Sequence, residues 1–270
     1  MGWVHAWVIF LRRAAGRKLA SSRRSLLRWL ALARRAAMEP REFLASIGTG
    51  DVPHGSRVDS AGNPAGSFLD HLTGAEDQLR QWGCAAPVCL AGLFHSVYGT
   101  EGFQGFTLPI SQRPAVRAVI GPRAERIAFY NCVMDRHSLD VLAMTHPRGR
   151  LLLQVRANSP VGGPDVAHYE LAEQDLTDLM AVQLADHLEG FDNQMNRPGT
   201  KDIAHDVDGQ PGYWRILSQG WFGYRQSAFE AMATRLGGVY LASWRAALAR
   251  VPPGAVAAQW LPRRVAAAAL

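Results

Sequence analysis

Cysteine is scarce in this sequence, with three residues among 270. The odd number and the spacing of Cys84, Cys89 and Cys132 match neither a zinc site nor a disulfide framework. We therefore expect buried free thiols in a reducing compartment. The sequence also lacks a glycine-rich dinucleotide loop after a strand, a phosphate-binding P-loop, an HExxH helix and a CxxC pair. These absences argue against the enzyme classes that depend on those motifs.

Acidic residues are missing from the first 38 positions, which carry nine of the 29 lysines and arginines. The remaining residues, 39–270, hold 20 basic and 23 acidic side chains, a net charge of −3. The formal charge of +6 for the whole chain thus belongs to the N-terminal segment and is poor evidence for nucleic-acid binding. We expect a small-molecule ligand or substrate and no nucleic-acid partner.

The basic segment 1–38 is rich in Arg, Ser, Ala and Leu. Its apolar run, Trp3 to Leu11, is too short to cross a bilayer, and we expect no transmembrane span. The arginines follow that run, whereas in a secretory signal they precede it. Three interpretations stay open. The segment is a mitochondrial or plastid transit peptide, an amphipathic helix on a membrane surface, or the result of a start assigned upstream of Met38, which would leave a cytoplasmic protein.

Helical periodicity dominates the rest of the chain, so the sequence predicts one all-α domain over 39–250 with a small β-hairpin insertion. The low-complexity residues 251–270 are expected to form a tail. Helices are predicted over 40–47, 67–82, 86–98, 113–121, 122–135, 137–144, 173–191 and 214–250. Strands are predicted over 149–157 and 167–171. The glycine- and proline-containing residues 48–66 are predicted to be a surface loop that carries His54.

Two histidines lie on the predicted helical hairpin formed by 67–82 and 86–98. His71 and His95 are 24 residues apart, and each lies on a largely apolar helix. A polar side chain in such a place is unfavourable without a partner. The partner of both histidines would be a metal ion, or the two histidines would form a hydrogen-bonded pair in the core. Two imidazoles together with the carboxylate of Asp186, from the predicted helix 173–191, suit divalent iron, manganese or zinc.

Four short stretches carry a resemblance to a known superfamily. They are LDHL at 69–72, WG at 82–83, AGLFHS at 91–96 and QLADHL at 183–188. This pattern resembles the HD-domain superfamily, an all-helical fold in which His, His-Asp and a later Asp bind metal ions. The 24-residue step resembles that of the superfamily's oxygenase branch. By this resemblance, His71, His95 and Asp186 are the expected metal ligands.

A closer resemblance is to a functionally uncharacterised, HD-related family with a His-Ser-x-Tyr-Gly-Thr box. Here the box is HSVYGT at 95–100, preceded by AGLF, with VPH at 52–54 upstream and FYNCVMDR at 129–136 downstream. Ser96 stands where the wider superfamily has an aspartate that helps to hold metal, so the standard two-metal site is not expected. A site of two histidines and one carboxylate remains compatible with the sequence.

Further candidates surround this core. His54 is a candidate ligand or substrate contact, and Glu101 is a candidate carboxylate or general base. Tyr98 is expected to line the mouth of the pocket and is a candidate catalytic residue, with packing as the alternative. The functional expectation is a metal-binding HD-like protein that acts as a metal-dependent hydrolase or oxygenase on a small metabolite. The alternative is a degenerate, non-catalytic module that binds a ligand or a protein.

Overall fold

The structure, a computed structural model, describes residues 38–58, 64–145, 147, 149–157, 159, 167–195 and 221–250. The helices in these ranges are α1 Pro40–Ser46, α2 Phe68–Gln81, α3 Ala86–Leu93, α4 Arg113–Val133, α5 Arg136–Thr145, α6 Glu173–Met195, α7 Trp221–Leu236 and α8 Gly238–Leu248. The strands are β1 Pro53–Val58, β2 Pro64–Ser67, β3 Leu151–Gln154 and β4 His168–Leu171. The predicted all-α fold with a small β insertion is confirmed. The predicted basic segment up to residue 37, the start of the predicted helix at 214 and the predicted tail lie outside the described residues.

The α2–α3 hairpin forms as its sequence predicts. The Ser67 hydroxyl accepts a hydrogen bond from the Asp70 amide at 3.1 Å, and the Asp70 carboxylate accepts one from the Ser67 amide at 2.8 Å. This reciprocal capping box starts α2. The chain leaves α2 through Gly83, whose φ of +73° is readily adopted by glycine, and Pro87 lies in the first turn of α3. The two helices pack against each other.

Helix α6 is the central element of the described fold, because it packs against α2, α3, α4, α7 and α8. Its apolar side chains are buried around most of its circumference. The buried ones are Leu176, Leu179, Met180, Ala181, Val182, Leu184, Ala185 and Leu188. A polar side chain on the middle of α6 therefore faces neighbouring helices, and this location brings Asp186 into the interior of the bundle.

The predicted surface loop over 48–66 is wrong in part, because β1 and β2 form an antiparallel hairpin there. Pro53 pairs with Ser67 and His54 with Gly66, so the hairpin leads directly into α2. The residues PHGSRV do not predict a strand, since they show no alternation of apolar and polar side chains. His54 is consequently held on a strand beside α2.

The predicted extent of the second hairpin helix, 86–98, is also wrong. Helix α3 ends at Leu93, Phe94 has φ −111° and ψ 9°, and the chain turns until Gly99, where φ is +74°. Residues 94–98 are all buried. The apolar run therefore continues past the helix end, and hydrophobicity alone cannot separate a buried turn from a buried helix. His95 lies in this turn.

The remaining predictions for the described residues are confirmed in outline, except that the predicted helix ending at 250 is divided into α7 and α8 at Gly237, where φ is +69°. Strands β3 and β4 pair antiparallel, with Leu151 opposite Leu171. The two helices predicted on either side of residue 121 form the kinked helix α4, in which Gly121 has φ +82° and is followed by Pro122. Across the described ranges, no helix is both long and apolar enough to span a membrane.

Candidate metal centre

Three side chains from three parts of the fold converge on one point. His71 Nε2 lies 3.1 Å from His95 Nε2 and 3.3 Å from Asp186 Oδ1, and His95 Nε2 lies 3.4 Å from the same oxygen. His71 comes from α2, His95 from the turn after α3, and Asp186 from α6. Among the described residues, this is the one cluster of histidine, cysteine and acidic side chains whose spacing suits a metal ion. The structure thus brings together the three ligands expected from the sequence.

The outer nitrogens fix the orientation of both imidazoles. His71 Nδ1 is 2.6 Å from Glu189 Oε2, and His95 Nδ1 is 2.7 Å from the Gly92 carbonyl oxygen. A carboxylate and a carbonyl only accept hydrogen bonds, so each Nδ1 carries the hydrogen and donates it. In the neutral rings, both Nε2 atoms are then lone-pair acceptors directed at the third acceptor, Asp186. This is the outer-shell arrangement that orients histidine ligands in metal sites.

Three acceptor atoms within 3.4 Å of one another need a cation between them. One source is a proton. Burial alone would lower the pKa of His71, but hydrogen bonds to Asp186 and Glu189 raise it to about 9. Burial would raise the pKa of Asp186, yet the charge of His95 and hydrogen bonds from both histidines hold it well below its usual range. The cluster is therefore built to hold positive charge.

A divalent metal ion is the other source, and the donor spacing fits it. Nitrogen and oxygen ligands lie about 2.0–2.2 Å from zinc, which places neighbouring ligand atoms about 3.0–3.6 Å apart. The observed distances of 3.1, 3.3 and 3.4 Å fall within that range. Ser96, buried in the same turn as His95, offers no carboxylate. The donors thus suit one ion, and the access to it lies at Asp186, whose side chain is 18% exposed while that of His95 is fully buried.

Glu189 belongs to this centre although the sequence analysis did not select it. Its side chain is buried against His71, and it follows Asp186 by three residues on α6. A Cβ atom on Gly74 of α2 would lie 2.6 Å from Glu189 Cγ, so the glycine makes room for the carboxylate. The spacing of Asp186 and Glu189 on one helix face was the available signal. Only the packing of α2 on α6 shows that this face is buried.

Arg136 is a second residue that the sequence analysis missed. Its guanidinium Nη2 lies 3.8 Å from Asp186 Oδ2, on the carboxylate oxygen that faces away from the histidines. The side chain is 12% exposed, and burial lowers its pKa while Asp186 opposes that shift. Arg136 ends the stretch FYNCVMDR, which the sequence analysis did single out. It places a positive charge beside the cluster.

His54 lies against the cluster and not among its ligand atoms. Its ring stacks on that of His71, with 4.1 Å between centroids and 15° between planes, and it contacts the Phe103 ring edge-on. Burial, followed by the charge of His71, lowers the pKa of His54 to about 3. The ring is therefore neutral at physiological pH. The group with metal-ligand spacing comprises His71, His95 and Asp186 without it.

The two candidate catalytic residues lie elsewhere. The sequence predicts Tyr98 at the mouth of a pocket, whereas the structure places it in the core, where its hydroxyl donates to Glu125 at 3.3 Å and burial raises its pKa. These contacts favour the packing alternative. Glu101 is exposed, and its carboxylate accepts a hydrogen bond from the Arg136 backbone amide at 3.1 Å. Glu101 is thus connected to the cluster through Arg136.

Comparison with known proteins gives one match. A family model described as a domain of unknown function (DUF6817) matches residues 54–136. No curated protein and no solved structure matches the chain. The match confirms the expectation of an uncharacterised domain family for this segment. The segment contains His71, His95 and Arg136, whereas Asp186 and Glu189 lie beyond its end.

Proposed function

We propose that this protein binds one divalent metal ion through His71 Nε2, His95 Nε2 and Asp186 Oδ1. The observation that carries the proposal is the convergence of these three acceptor atoms at 3.1–3.4 Å, with both Nδ1–H groups already engaged by Glu189 and Gly92. Iron, manganese and zinc are the ions that such a donor set suits. A helix-borne histidine, a second histidine after the next helix and an aspartate on a long later helix also support the resemblance to HD domains.

The site supports catalysis on a small metabolite better than a purely structural role. Structural zinc sites have four protein ligands, whereas sites with three leave a position for water or substrate. A bound ion would act as a Lewis acid for hydrolysis or, as iron, support oxidation by oxygen. Within the chain, Glu189 orients His71, and Arg136 adds positive charge at the open side beside Asp186. A single ion argues against two-metal phosphoester hydrolysis.

The competing function is a non-catalytic module without metal, and the contacts of His71 with the carboxylates of Asp186 and Glu189 favour it. With its pKa raised to about 9, His71 is protonated at neutral pH in the metal-free protein. The imidazolium then donates from Nδ1 to Glu189, and its Nε2–H lies between His95 Nε2 at 3.1 Å and Asp186 Oδ1 at 3.3 Å. A proton thus satisfies the same acceptors, and the histidines become a hydrogen-bonded core pair of a ligand- or protein-binding domain.

Elemental analysis of the purified full chain separates the two functions. Iron, manganese and zinc are measured in the wild type, in a His71→Ala/His95→Ala double variant and in His168→Ala, whose histidine is exposed on β4. About one ion per chain in the wild type and in His168→Ala, lost in the double variant, is the expected result. Trace metal in all three proteins, even after incubation with each ion, would overturn the metal proposal in favour of the module.

Assays of metal-loaded protein then distinguish hydrolysis from oxidation by oxygen. Loaded wild type and double variant are compared in a screen of small ester substrates and in oxygen-consumption assays. A turnover that depends on the ion and on His71 and His95 identifies the reaction class. Full loading with no turnover in either screen would leave metal binding standing and contradict the proposed enzyme.

A further inference from the structure

We propose that Asn131 is a positioning residue for His95, held in its working orientation by a buried chain of hydrogen bonds that begins at the Arg225–Asp140 ion pair. This role rests on the proposed metal-binding function, because positioning His95 matters for metal binding only if His95 is a ligand. It also gives a role to the stretch FYNCVMDR, which contains Asn131 and which the three ligands leave unexplained.

Two buried donors converge on the backbone carbonyl of His95. Asn131 Nδ2 donates to that oxygen at 2.7 Å, and the Cys132 thiol donates to it at 3.1 Å. Both residues come from α4, and both are buried, with relative exposures of 1% and 0%. A carbonyl that receives two buried donors is held firmly in place, because losing either donor leaves a desolvated polar group.

His95 needs this support because its own helix does not provide it. Helix α3 ends two residues before His95, and the carbonyl groups beyond a helix end lack helical partners. The hydrogen bond from His95 Nδ1 to the Gly92 carbonyl sets the rotation of the ring. It does not fix where the backbone of His95 lies relative to α2 and α6. Asn131 supplies that constraint from α4.

The hydrogen-bond chain behind Asn131 has a defined direction. Arg225 of α7 pairs with Asp140 at 3.0 Å and donates from Nη2 to Gln183 Oε1 at 2.9 Å. Gln183 Nε2 in turn donates to Asn131 Oδ1 at 2.8 Å. A guanidinium only donates, so it turns the amide oxygen of Gln183 toward itself and the amide nitrogen toward Asn131. The same logic turns the nitrogen of Asn131 toward His95.

The hydrogen-bond chain therefore ties the proposed ligand His95 to four different helices. Asp140 lies on α5, Arg225 on α7, Gln183 on α6 and Asn131 on α4. All four residues are buried, with relative exposures of 5% or less. The matched family segment ends at residue 136, so most of this support comes from later parts of the chain.

The test uses Co²⁺ as the probe and the full chain, with Asn131→Ala, Asn131→Asp and Gln183→Glu as variants. Asn131→Asp keeps the shape but presents an acceptor to the His95 carbonyl. Ser243→Ala is the control, because it removes the acceptor of a partly buried hydrogen bond elsewhere in the fold, from Trp82 Nε1 at 2.9 Å. Two quantities are measured at one pH: the imidazole ¹⁵N shifts of His95 in metal-free protein, and the Co²⁺ dissociation constant with its d–d absorption spectrum.

We expect the ¹⁵N shifts of His95 to move in the Asn131 and Gln183 variants and the Co²⁺ dissociation constant to rise about 10- to 100-fold with an altered spectrum. Ser243→Ala should change neither quantity. If Asn131→Ala does not fold, the same two measurements on Asn131→Asp and Gln183→Glu test the positioning role. Folded variants with wild-type shifts and Co²⁺ binding within twofold would overturn the positioning role while metal binding stands. If the wild type binds no Co²⁺ but the variants still change the ¹⁵N shifts of His95, the positioning role is supported and metal binding is contradicted.

Discussion

Asp186 and Glu189 stand about one turn apart on α6 and reach opposite nitrogens of the same imidazole. Asp186 Oδ1 lies 3.3 Å from His71 Nε2, and Glu189 Oε2 lies 2.6 Å from His71 Nδ1. One carboxylate therefore faces the proposed ion, and the other holds the ring that binds it. A single helix sets both distances, so a rotation of α6 would disturb ligand and support together.

The two carboxylates should differ in their effect on metal binding. Asp186→Asn removes a ligand charge, and we expect it to abolish stoichiometric binding of Co²⁺ or Zn²⁺. Glu189→Gln leaves the three ligands in place and should weaken binding about 10- to 100-fold. Isothermal titration of the full chain measures both effects. Glu170→Gln, in an exposed pair with Arg150, is the control and should bind as the wild type does. Equal losses in the two carboxylate variants would contradict the assigned roles.

Two glycines should respond in opposite ways to alanine. At Gly74 a Cβ would lie 2.6 Å from Glu189 Cγ, so Gly74→Ala should lower the free energy of unfolding by about 1–3 kcal/mol. At Gly190 of α6 a Cβ would meet nothing within 4 Å. Gly190→Ala should therefore raise the free energy of unfolding by about 0.5–1 kcal/mol through helix propensity. Urea unfolding of both variants tests this, and stabilisation by Gly74→Ala would show that Glu189 is not packed against α2.

The Arg225–Asp140 ion pair should matter more for stability than a surface pair. Both side chains are buried, at 6% and 1% exposure. Arg225→Met removes the positive charge that pairs with the buried Asp140 carboxylate and should lower the free energy of unfolding by about 3–5 kcal/mol. Arg150→Met, which breaks the exposed pair with Glu170, should leave the unfolding free energy unchanged within error. Chemical unfolding followed by circular dichroism measures both. Similar small effects in the two variants would argue that Arg225 is accessible to water.

The thiols should be largely protected in the folded protein. Cys89 and Cys132 are buried, Cys84 is half-buried, and all three are free. Burial raises the pKa of each thiol, that of Cys132 to about 12, so the reactive thiolate is scarce at pH 8. A colorimetric thiol reagent should detect at most one group per chain in native protein and three after denaturation. Cys84→Ser should remove the native reaction, and rapid labelling of two or more native thiols would contradict the packing.

Much of the fold is predictable because local signals and tertiary packing agree. The capping box at Ser67, the turn at Gly83 and the break at Gly121 set helix boundaries through backbone chemistry that neighbours in sequence reveal. The prediction of secondary structure is wrong where local sequence signals and tertiary packing disagree. The β1–β2 hairpin forms through backbone pairing of polar and glycine residues, and α3 stops inside an apolar run that remains buried.

The residues of the candidate site also fall into two groups, those that the sequence predicts and those that it does not. Of the three candidate ligands, His71 and His95 are visible in sequence because a histidine within an apolar segment is unusual and their spacing suits a helical hairpin. Asp186 is expected from the resemblance carried by QLADHL at 183–188. Glu189, Arg136 and Asn131 are not visible, since acidic, basic and amide residues are common on exposed helix faces. Their roles appear only when α4 and α6 are packed against the hairpin.

The sequence by itself determined the helical class and the hairpin, because these depend on periodicity and capping within a few turns. Its short motifs identified the three candidate ligands through a resemblance. Only the tertiary structure decided how those ligands are held. The contacts from Glu189, Asn131 and Arg136 to the cluster join residues 36 to 118 positions apart. Such contacts depend on which faces of α2, α4 and α6 meet, and that is set by the packing of the whole core.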